Sequence, residues 1–413
     1  MRVPWRSLLL VLLGGVLAAC GKPEPDTGWA GSYRATLQLP GGELPFGLEL
    51  ARENGATVAW LVNGDERVKV TEVAITGDDI AMRMPGFENR ITAKRAGQQL
   101  RGELLMVKAK GKRQQIPFTA RRDQAPRFFP DETPPGADVS GRWAANFTAD
   151  EGTTYIAVGE FTQQGSTVAG TFLTPTGDYR YLNGQLRDGK LYLGTFNGGH
   201  VFLFHAALDA TGALQGEFWS GLASHERFTA HRDANASLGT TTAVTAMKVA
   251  TQPLRFAFPD LAGKTVSLDD ARFRGKVVVV TLAGSWCPNC HDEAAFFAPY
   301  YREHQAEGLE VVSLMFEQLE TVEETRAAVQ RFRDRYTITY PLLLAGISDR
   351  ADAATKLPQL NGVYAYPTTI LIDRKGQVRH IHTGFSGPAT GQHYTDLTTD
   401  LDLRIRALLT EKN

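Results

Sequence analysis

Two cysteines separated by two residues carry the most reactive side chains of this chain. Cys287 and Cys290 follow an apolar, β-branched run at 276–283 and precede a helical pattern that begins near Glu293. The pair therefore falls where a buried strand ends and a helix begins. A helix N-terminus favours a thiolate over a thiol, because its unpaired N–H groups carry partial positive charge. This pattern predicts thiol–disulfide exchange, with Cys287 as the exposed nucleophile and Cys290 as the buried resolving thiol.

Two other uses of a cysteine pair are weighed against exchange. A structural zinc site needs four ligands, and the mature chain would offer only these two cysteines with His291 beside them. A purely structural disulfide would close a very short loop and add little stability. Redox exchange is favoured over both, and neither a metal nor another cofactor is predicted.

Residues 1–19 have the pattern of a lipoprotein signal peptide. Arg2 and Arg6 precede a short apolar stretch, and Leu17-Ala18-Ala19-Cys20 resembles a bacterial lipobox. The stretch is too short to span a membrane. By this resemblance Cys20 is lipidated and becomes the first residue of the mature protein. We therefore expect a lipid-anchored protein of the bacterial cell envelope that faces the periplasm, in either the outer or the inner membrane.

Composition narrows the function classes further. The net charge of the 413 residues is −1, so no basic field argues for binding of nucleic acid. Of the three cysteines, only Cys287 and Cys290 are left once Cys20 is lipidated. A secreted protein with one close cysteine pair does not use disulfides as scaffolding.

A sequence repeat fills most of the N-terminal half. Gly31-Ser32-Tyr33 and Gly141-Arg142-Trp143 lie 110 residues apart, and so do the related segments 118–123 and 228–233. Short β-rich runs separated by hairpin signals fill both units. The hairpin signals are Asn54-Gly55, Asn63-Gly64 and Asp188-Gly189. Each unit is predicted to be a small all-β barrel or sandwich.

The aromatic and histidine residues of these units allow two interpretations. Aromatic side chains line a ligand or partner surface, or they fill barrel interiors, and we favour the interior. The histidines have no metal-ligand spacing. The aromatic residues are Trp60, Trp143, Tyr155, Phe172, Tyr179, Tyr181, Phe218 and Trp219, and the histidines are His200, His205, His225 and His231. A spacer or partner-docking role is predicted for both units.

The C-terminal part alternates strand and helix patterns and ends with a hairpin and a helix. This order predicts a three-layer α/β sandwich. The predicted organisation is a signal peptide at 1–19, a tether at 20–28, β repeats at 29–125 and 139–233, a Pro-rich linker at 126–138, a second linker at 234–252 and the α/β domain at 253–413.

This last domain resembles the thioredoxin superfamily, in particular its TlpA/ResA-like branch of membrane-tethered thiol–disulfide oxidoreductases. The matching motifs are Trp286-Cys287-Pro288-Asn289-Cys290, Tyr366-Pro367-Thr368-Thr369 and 371–376. The resemblance implies a thioredoxin fold after the two β repeats and a protein disulfide reductase activity, with cytochrome c maturation as one family role. It also implies disulfide-containing envelope proteins as substrates and a membrane electron donor.

The resemblance also assigns roles to individual residues. Pro367 is implied to follow a cis peptide bond and to lie against the cysteine pair. Trp286, Pro288 and Tyr366 are implied to flank the substrate groove with it. Glu293, three residues after Cys290, matches an acidic residue of the branch and is a candidate proton relay. An ordinary first-turn glutamate, favoured by the helix dipole, is the alternative for Glu293.

Some positions depart from related families. Thr281 stands where cytoplasmic thioredoxins have a buried aspartate, and Gly284 stands where peroxidases have Thr or Ser, which disfavours peroxidase activity. A copper chaperone would use the cysteines with His380 or His382, but the cysteine spacing is unfavourable. In a further alternative, the β repeats bind an envelope ligand or partner and the thioredoxin domain is a redox sensor or scaffold.

Overall fold

The computed structural model describes residues 28–125, 127–130, 134–239 and 244–411. The predicted signal peptide, the lipidation site Cys20 and all but the last residue of the predicted tether lie outside these residues. Among the described residues, no helix is both long and apolar enough to cross a membrane.

The first β unit is an antiparallel sheet of nine strands that curls into a barrel-like shape. The sheet order is β4-β3-β2-β1-β9-β8-β7-β6-β5, so the sheet is open between β4 and β5. The strands are β1 Gly31–Leu39, β2 Gly42–Glu53, β3 Ala56–Asn63, β4 Glu66–Val70, β5 Val73–Thr76, β6 Asp79–Arg83, β7 Arg90–Ala96, β8 Gln99–Val107 and β9 Arg113–Arg122.

The second β unit closes on itself. Strand β10 pairs with β18 at one side and with β11 at the other, and β11 pairs with β12, which completes the ring. The strands are β10 Gly141–Ala149, β11 Thr154–Gln164, β12 Thr167–Thr174, β13 Gly177–Asp178, β14 Leu182–Arg187, β15 Lys190–Phe196, β16 Val201–Leu208, β17 Leu214–Ser220 and β18 Ser224–Arg232. The second unit is therefore a closed barrel and the first an open, barrel-like sheet, and they are called barrel 2 and barrel 1 below.

Two of the three predicted hairpin turns lie where expected. Asn54-Gly55 and Asp188-Gly189 have positive φ at both residues (49° and 80°, 50° and 71°), which a two-residue type I′ turn requires. The third turn lies at Gly64-Asp65, one residue later than predicted, because β3 extends through Asn63.

The two barrels repeat the same contacts 110 residues apart. Ala35 pairs with Ala120 in barrel 1 and Ala145 pairs with Ala230 in barrel 2. An arginine in the last strand of each barrel makes the same two hydrogen bonds. Arg122 donates to the carbonyls of residues 28 and 30, and Arg232 donates to those of residues 138 and 140. Shared register and shared side-chain bonds support a duplication of one unit.

Aromatic side chains fill the interior of barrel 2. Phe147 stacks on Phe228 with ring centroids 5.0 Å apart, and Phe204 stacks on Phe218 at 4.3 Å. The predicted interior position is confirmed for Trp143, Phe172 and Phe218, which are buried in this cluster. Trp60 instead lies half-buried under Arg67, and Trp219 packs against barrel 1. Packed side chains therefore occupy the interior of barrel 2.

The C-terminal domain has a five-stranded mixed sheet in the order β23-β22-β21-β24-β25. Strands β21 and β22 and strands β22 and β23 run parallel, whereas β24 and β25 are antiparallel to their neighbours. The strands are β19 Ala257–Pro259 and β20 Thr265–Ser267, which form a separate hairpin, then β21 Val277–Ala283, β22 Leu309–Glu317, β23 Leu342–Ile347, β24 Thr368–Ile372 and β25 Val378–Thr383.

Helices cover both faces of this sheet. Every residue of β21 is buried, since odd positions pack against one apolar cluster and even positions against another. The helices are α1 Pro288–His304, α2 Val322–Tyr336, α3 Arg350–Lys356 and α4 Gln392–Thr410. The predicted three-layer thioredoxin fold is thereby confirmed. Within the predicted linker 234–252, Met247 pairs with Leu360, so this segment packs on the domain.

Candidate functional site

The cysteine pair lies at the start of helix α1. Cys287 is the N-cap of the helix and Pro288 its first residue. Proline is tolerated there because the first helical N–H has no partner within the helix. The two sulfurs are within disulfide-bonding distance, with the Cα atoms 5.2 Å apart. The backbone N–H of Cys290 donates to the Cys287 sulfur at 3.2 Å. This donor stabilises negative charge on Cys287 once the disulfide is reduced.

Cys287 is not exposed, contrary to the prediction. It is 4% exposed and Cys290 is 1% exposed, so both sulfurs are covered in the structure. The barrels pack against other residues of this first turn of α1, among them Asn289 and His291. Sequence patterns gave no indication of this packing.

The residues predicted to flank the groove are brought together around Cys287. The peptide bond between Tyr366 and Pro367 is cis, as the resemblance implies. The carbonyl oxygen of Tyr366 lies 3.3 Å from the Cys287 sulfur. The rings of Trp286 and Tyr366 are in edge contact at 5.8 Å, and the Trp286 Nε1 donates to the carbonyl of Phe316 at 2.8 Å.

Glu293 is a buried acid one helical turn beyond Cys290. It is 2% exposed, and its Oε1 accepts a hydrogen bond from the Thr369 hydroxyl at 2.5 Å. Burial raises the pKa of Glu293 to about 8, and the bond from Thr369 opposes that rise only in part. Thr281, at the position of the missing aspartate, bonds instead with the Ser313 hydroxyl at 2.5 Å.

Sequence reasoning missed a second buried acid near the pair. Glu317 ends strand β22, and its carboxylate accepts from the Ser285 backbone N–H at 2.8 Å and from the Ser285 hydroxyl at 2.7 Å. Burial raises the pKa of Glu317 to about 7, against the lowering effect of these two bonds. A signal was present: Glu317 is the last residue of a strand parallel to β21, and the carboxyl ends of parallel neighbours meet at one sheet edge.

The barrels contact most of the first residues of α1. Asn289, between the two cysteines, donates to the carboxylate of Asp178 in barrel 2 at 2.9 Å. His291 stacks on Phe87 of barrel 1 with ring centroids 4.1 Å apart. Gly199 approaches so closely that a Cβ there would lie 2.8 Å from Pro288. The active-site turn is therefore an interface between three units.

A buried ion cluster joins the same three units. The Arg180 guanidinium of barrel 2 bonds to Asp292 of helix α1 and, at 2.6 Å, to Glu66 of barrel 1. Burial raises the pKa of Asp292 to about 6, while Arg180 opposes the rise. The buried charge of Arg180 is thus paired with one carboxylate from barrel 1 and one from helix α1.

The described residues contain no group of three or more His, Cys, Asp or Glu side chains placed to hold a metal ion. His380 and His382, the candidates for copper binding, lie on β25 with ring centroids 6.5 Å apart.

Comparison with known proteins places the C-terminal domain. A family model described as the AhpC/TSA family matches residues 249–381. The thiol-disulfide oxidoreductase ResA of Geobacillus thermodenitrificans is 32% identical over 140 residues, which are 34% of this chain and 72% of ResA. ResA of Halalkalibacterium halodurans is 29% identical over 133 residues, which are 32% of this chain and 67% of that relative.

A solved structure of a thiol:disulfide interchange protein of the thioredoxin family from Chlorobium tepidum is 20% identical. The match covers 40% of this chain and 99% of that one, with a TM-score of 0.30.

The C-terminal domain is a thioredoxin-like domain of a thiol–disulfide oxidoreductase. Through this domain, the chain belongs to the ResA-like family of thiol–disulfide oxidoreductases. The residues that the family model matches, 249–381, include none of the barrel strands.

Proposed function

We propose that this protein reduces disulfide bonds of other proteins in the cell envelope, with Cys287 and Cys290 as its redox pair. The observation that carries the proposal is the N-cap position of Cys287, whose sulfur accepts the N–H of Cys290 at 3.2 Å. In the reduced protein this donor and the helix N-terminus favour the Cys287 thiolate, which is the attacking species in exchange.

The reaction proceeds in two exchanges. The Cys287 thiolate attacks one sulfur of the substrate disulfide, that bond breaks, and the leaving thiolate takes up a proton. The Cys290 thiolate then attacks the Cys287 sulfur of the mixed disulfide and releases the second substrate thiolate. The substrate gains the two electrons that the protein dithiol loses, and the protein is left with the Cys287–Cys290 disulfide.

Glu293 is the proposed proton acceptor for Cys290. Its pKa of about 8 is close to the ordinary thiol value of about 8.5, so a proton passes between the two groups at little energetic cost. The one-turn spacing puts both side chains on the same face of α1.

Trp286, Pro288, Tyr366 and Pro367 are the proposed walls of the substrate groove, where an extended substrate segment pairs with the protein backbone. The proposed substrates are disulfide-containing envelope proteins, among them those handled in cytochrome c maturation. A membrane dithiol donor would restore the reduced state, and a lipid on Cys20 would hold the protein at the membrane.

The test is trapping with the Cys290→Ala variant expressed in its native envelope. Without the resolving thiol, Cys287 should retain its substrates as mixed disulfides that survive non-reducing electrophoresis and disappear on reduction. The matched control is the double variant Cys287→Ala with Cys290→Ala, which should trap nothing. Absence of mixed disulfides in the single variant would overturn the exchange mechanism and leave the barrels as the functional half.

A further inference from the structure

A cavity lies between the barrels and the active-site turn. Its volume is about 170 Å³, and its lining includes Trp286 and Pro288, the neighbours of Cys287, together with Lys108 of barrel 1 and His200 of barrel 2. Cavities of about 150 Å³ hold one benzene ring, so this one has room for a single side chain. Lys108, His200 and Trp286 each keep part of their surface exposed, so the cavity is open to solvent.

Two lining residues on the barrel side of the cavity carry polar groups without a partner among the described residues. Lys108 takes part in no ion pair within the described part of the chain, and burial lowers its pKa. The Nδ1 atom of His200 is buried and has no hydrogen-bond partner among the described residues, while its ring stacks on Phe202 at 4.1 Å. Burial and the nearby charges of Arg180 and Lys108 hold the pKa of His200 well below its usual value.

Two carboxylates also line the cavity, and both are already bound. Glu88 is paired with Arg331 and lies 3.5 Å from Arg83. Glu317 accepts both hydrogen bonds from Ser285. Both carboxylates thus have partners within the protein, whereas the Lys108 ammonium has no ion-pair partner and the His200 Nδ1 atom has no hydrogen-bond partner among the described residues. Such an arrangement attracts an anion that accepts hydrogen bonds.

We propose that this cavity is a substrate subsite that binds an acidic side chain close to the reacting cysteine of an extended substrate segment. The proposal rests on the proposed reductase function and names the substrate feature it selects. Lys108 binds the carboxylate through its charge and His200 provides the neighbouring polar contact. The barrels then form one wall of the active site rather than acting only as a spacer.

The experiment uses the intact, reduced protein and disulfide-linked peptides that differ only in Glu or Gln next to the cysteine. We expect the rate constant for reduction to be about tenfold higher for the Glu peptide, as for a hydrogen bond to a charged group. In Lys108→Met the ratio of the two rate constants should fall to about one, and Lys108→Glu should favour a peptide that carries Lys instead. The control is Lys112→Met, an exposed lysine of the same loop that does not line the cavity.

The outcomes separate the two proposals. Equal rates for the Glu and Gln peptides in the unaltered protein, or a preference that persists in Lys108→Met, would overturn the subsite while leaving the reductase function intact. No reduction of either peptide would overturn the reductase function and the subsite with it. Lys108→Arg keeps the charge and should keep the preference, so a loss of the preference in Lys108→Arg would contradict the assignment of the carboxylate to this charge.

Discussion

Glu293→Gln tests whether a protonated acid lies beside the redox pair. The amide keeps the shape of the side chain and removes its ability to ionise. In the folded protein the pKa of Glu293 is raised to about 8, against an ordinary value of 4.5. Between these two values the folded state holds a proton that the unfolded state has released. The stability that this proton provides is present in full below pH 4.5 and is lost as the pH rises towards 8.

The magnitude follows from the size of the shift. Each pH unit between the two values costs the unaltered protein about 1.4 kcal/mol in its free energy of unfolding. From pH 5 to pH 7 the loss is about 3 kcal/mol, and Glu293→Gln does not suffer it. Other buried acids titrate in both proteins, so the difference between the two proteins isolates Glu293.

The assay is urea unfolding of both full-length proteins at pH 5, 6 and 7. The stability of Glu293→Gln minus that of the unaltered protein should grow with each step in pH. Glu323→Gln is the control, since Glu323 is exposed on the first turn of α2 and a surface change there is worth at most about 0.5 kcal/mol. A difference that stays constant from pH 5 to pH 7 would show that the pKa of Glu293 is not raised in the folded protein, and would refute the match to the thiol pKa on which the relay rests.

Three further predictions concern the barrels and the site. Arg180→Met leaves two carboxylates buried without their cation, so we expect a loss of about 3–5 kcal/mol in thermal or urea unfolding; an unchanged midpoint would contradict the ion cluster. Phe147→Ala opens the aromatic interior of barrel 2 and should also cost about 3–5 kcal/mol in urea unfolding, and a loss below about 1 kcal/mol would mean that the barrel is not packed as described. Ser285→Ala removes one of two bonds that lower the pKa of Glu317, so that pKa should rise above about 7 in a carboxyl-carbon NMR titration; a fall would contradict the contact.

The separate folds were predictable because each leaves a local pattern. The pairs Asn54-Gly55 and Asp188-Gly189 are residue types that favour positive φ, and they mark hairpin turns directly. The continuous apolar run of β21 marks a strand that is buried on both faces. The repeat spacing is a property of the sequence itself, and the structure adds the shared register. The choice between barrel and sandwich depends on whether β10 and β12 both pair with β11, which no local pattern specifies.

Only the part of the active site that lies in the thioredoxin-like domain was predictable from the sequence. Cys287, Cys290 and Pro367 belong to short motifs, so their proximity follows from a known fold. Arg180 and Asp292 lie far apart in the sequence, and each has the appearance of an ordinary surface charge. Their burial arises from docking of complete domains, which depends on surface shape and leaves no periodic signal along the chain.

The position of Asn289 has a thermodynamic consequence. This residue stands between the two cysteines and donates to Asp178 of barrel 2, so docking of the barrels and oxidation of the pair share one turn of backbone. By linkage, any difference in docking free energy between the dithiol and disulfide forms appears as an equal shift in the reduction potential, about 30 mV for each 1.4 kcal/mol. A molecule that binds the barrels and loosens or tightens this contact would therefore tune the driving force of electron transfer without touching a sulfur atom.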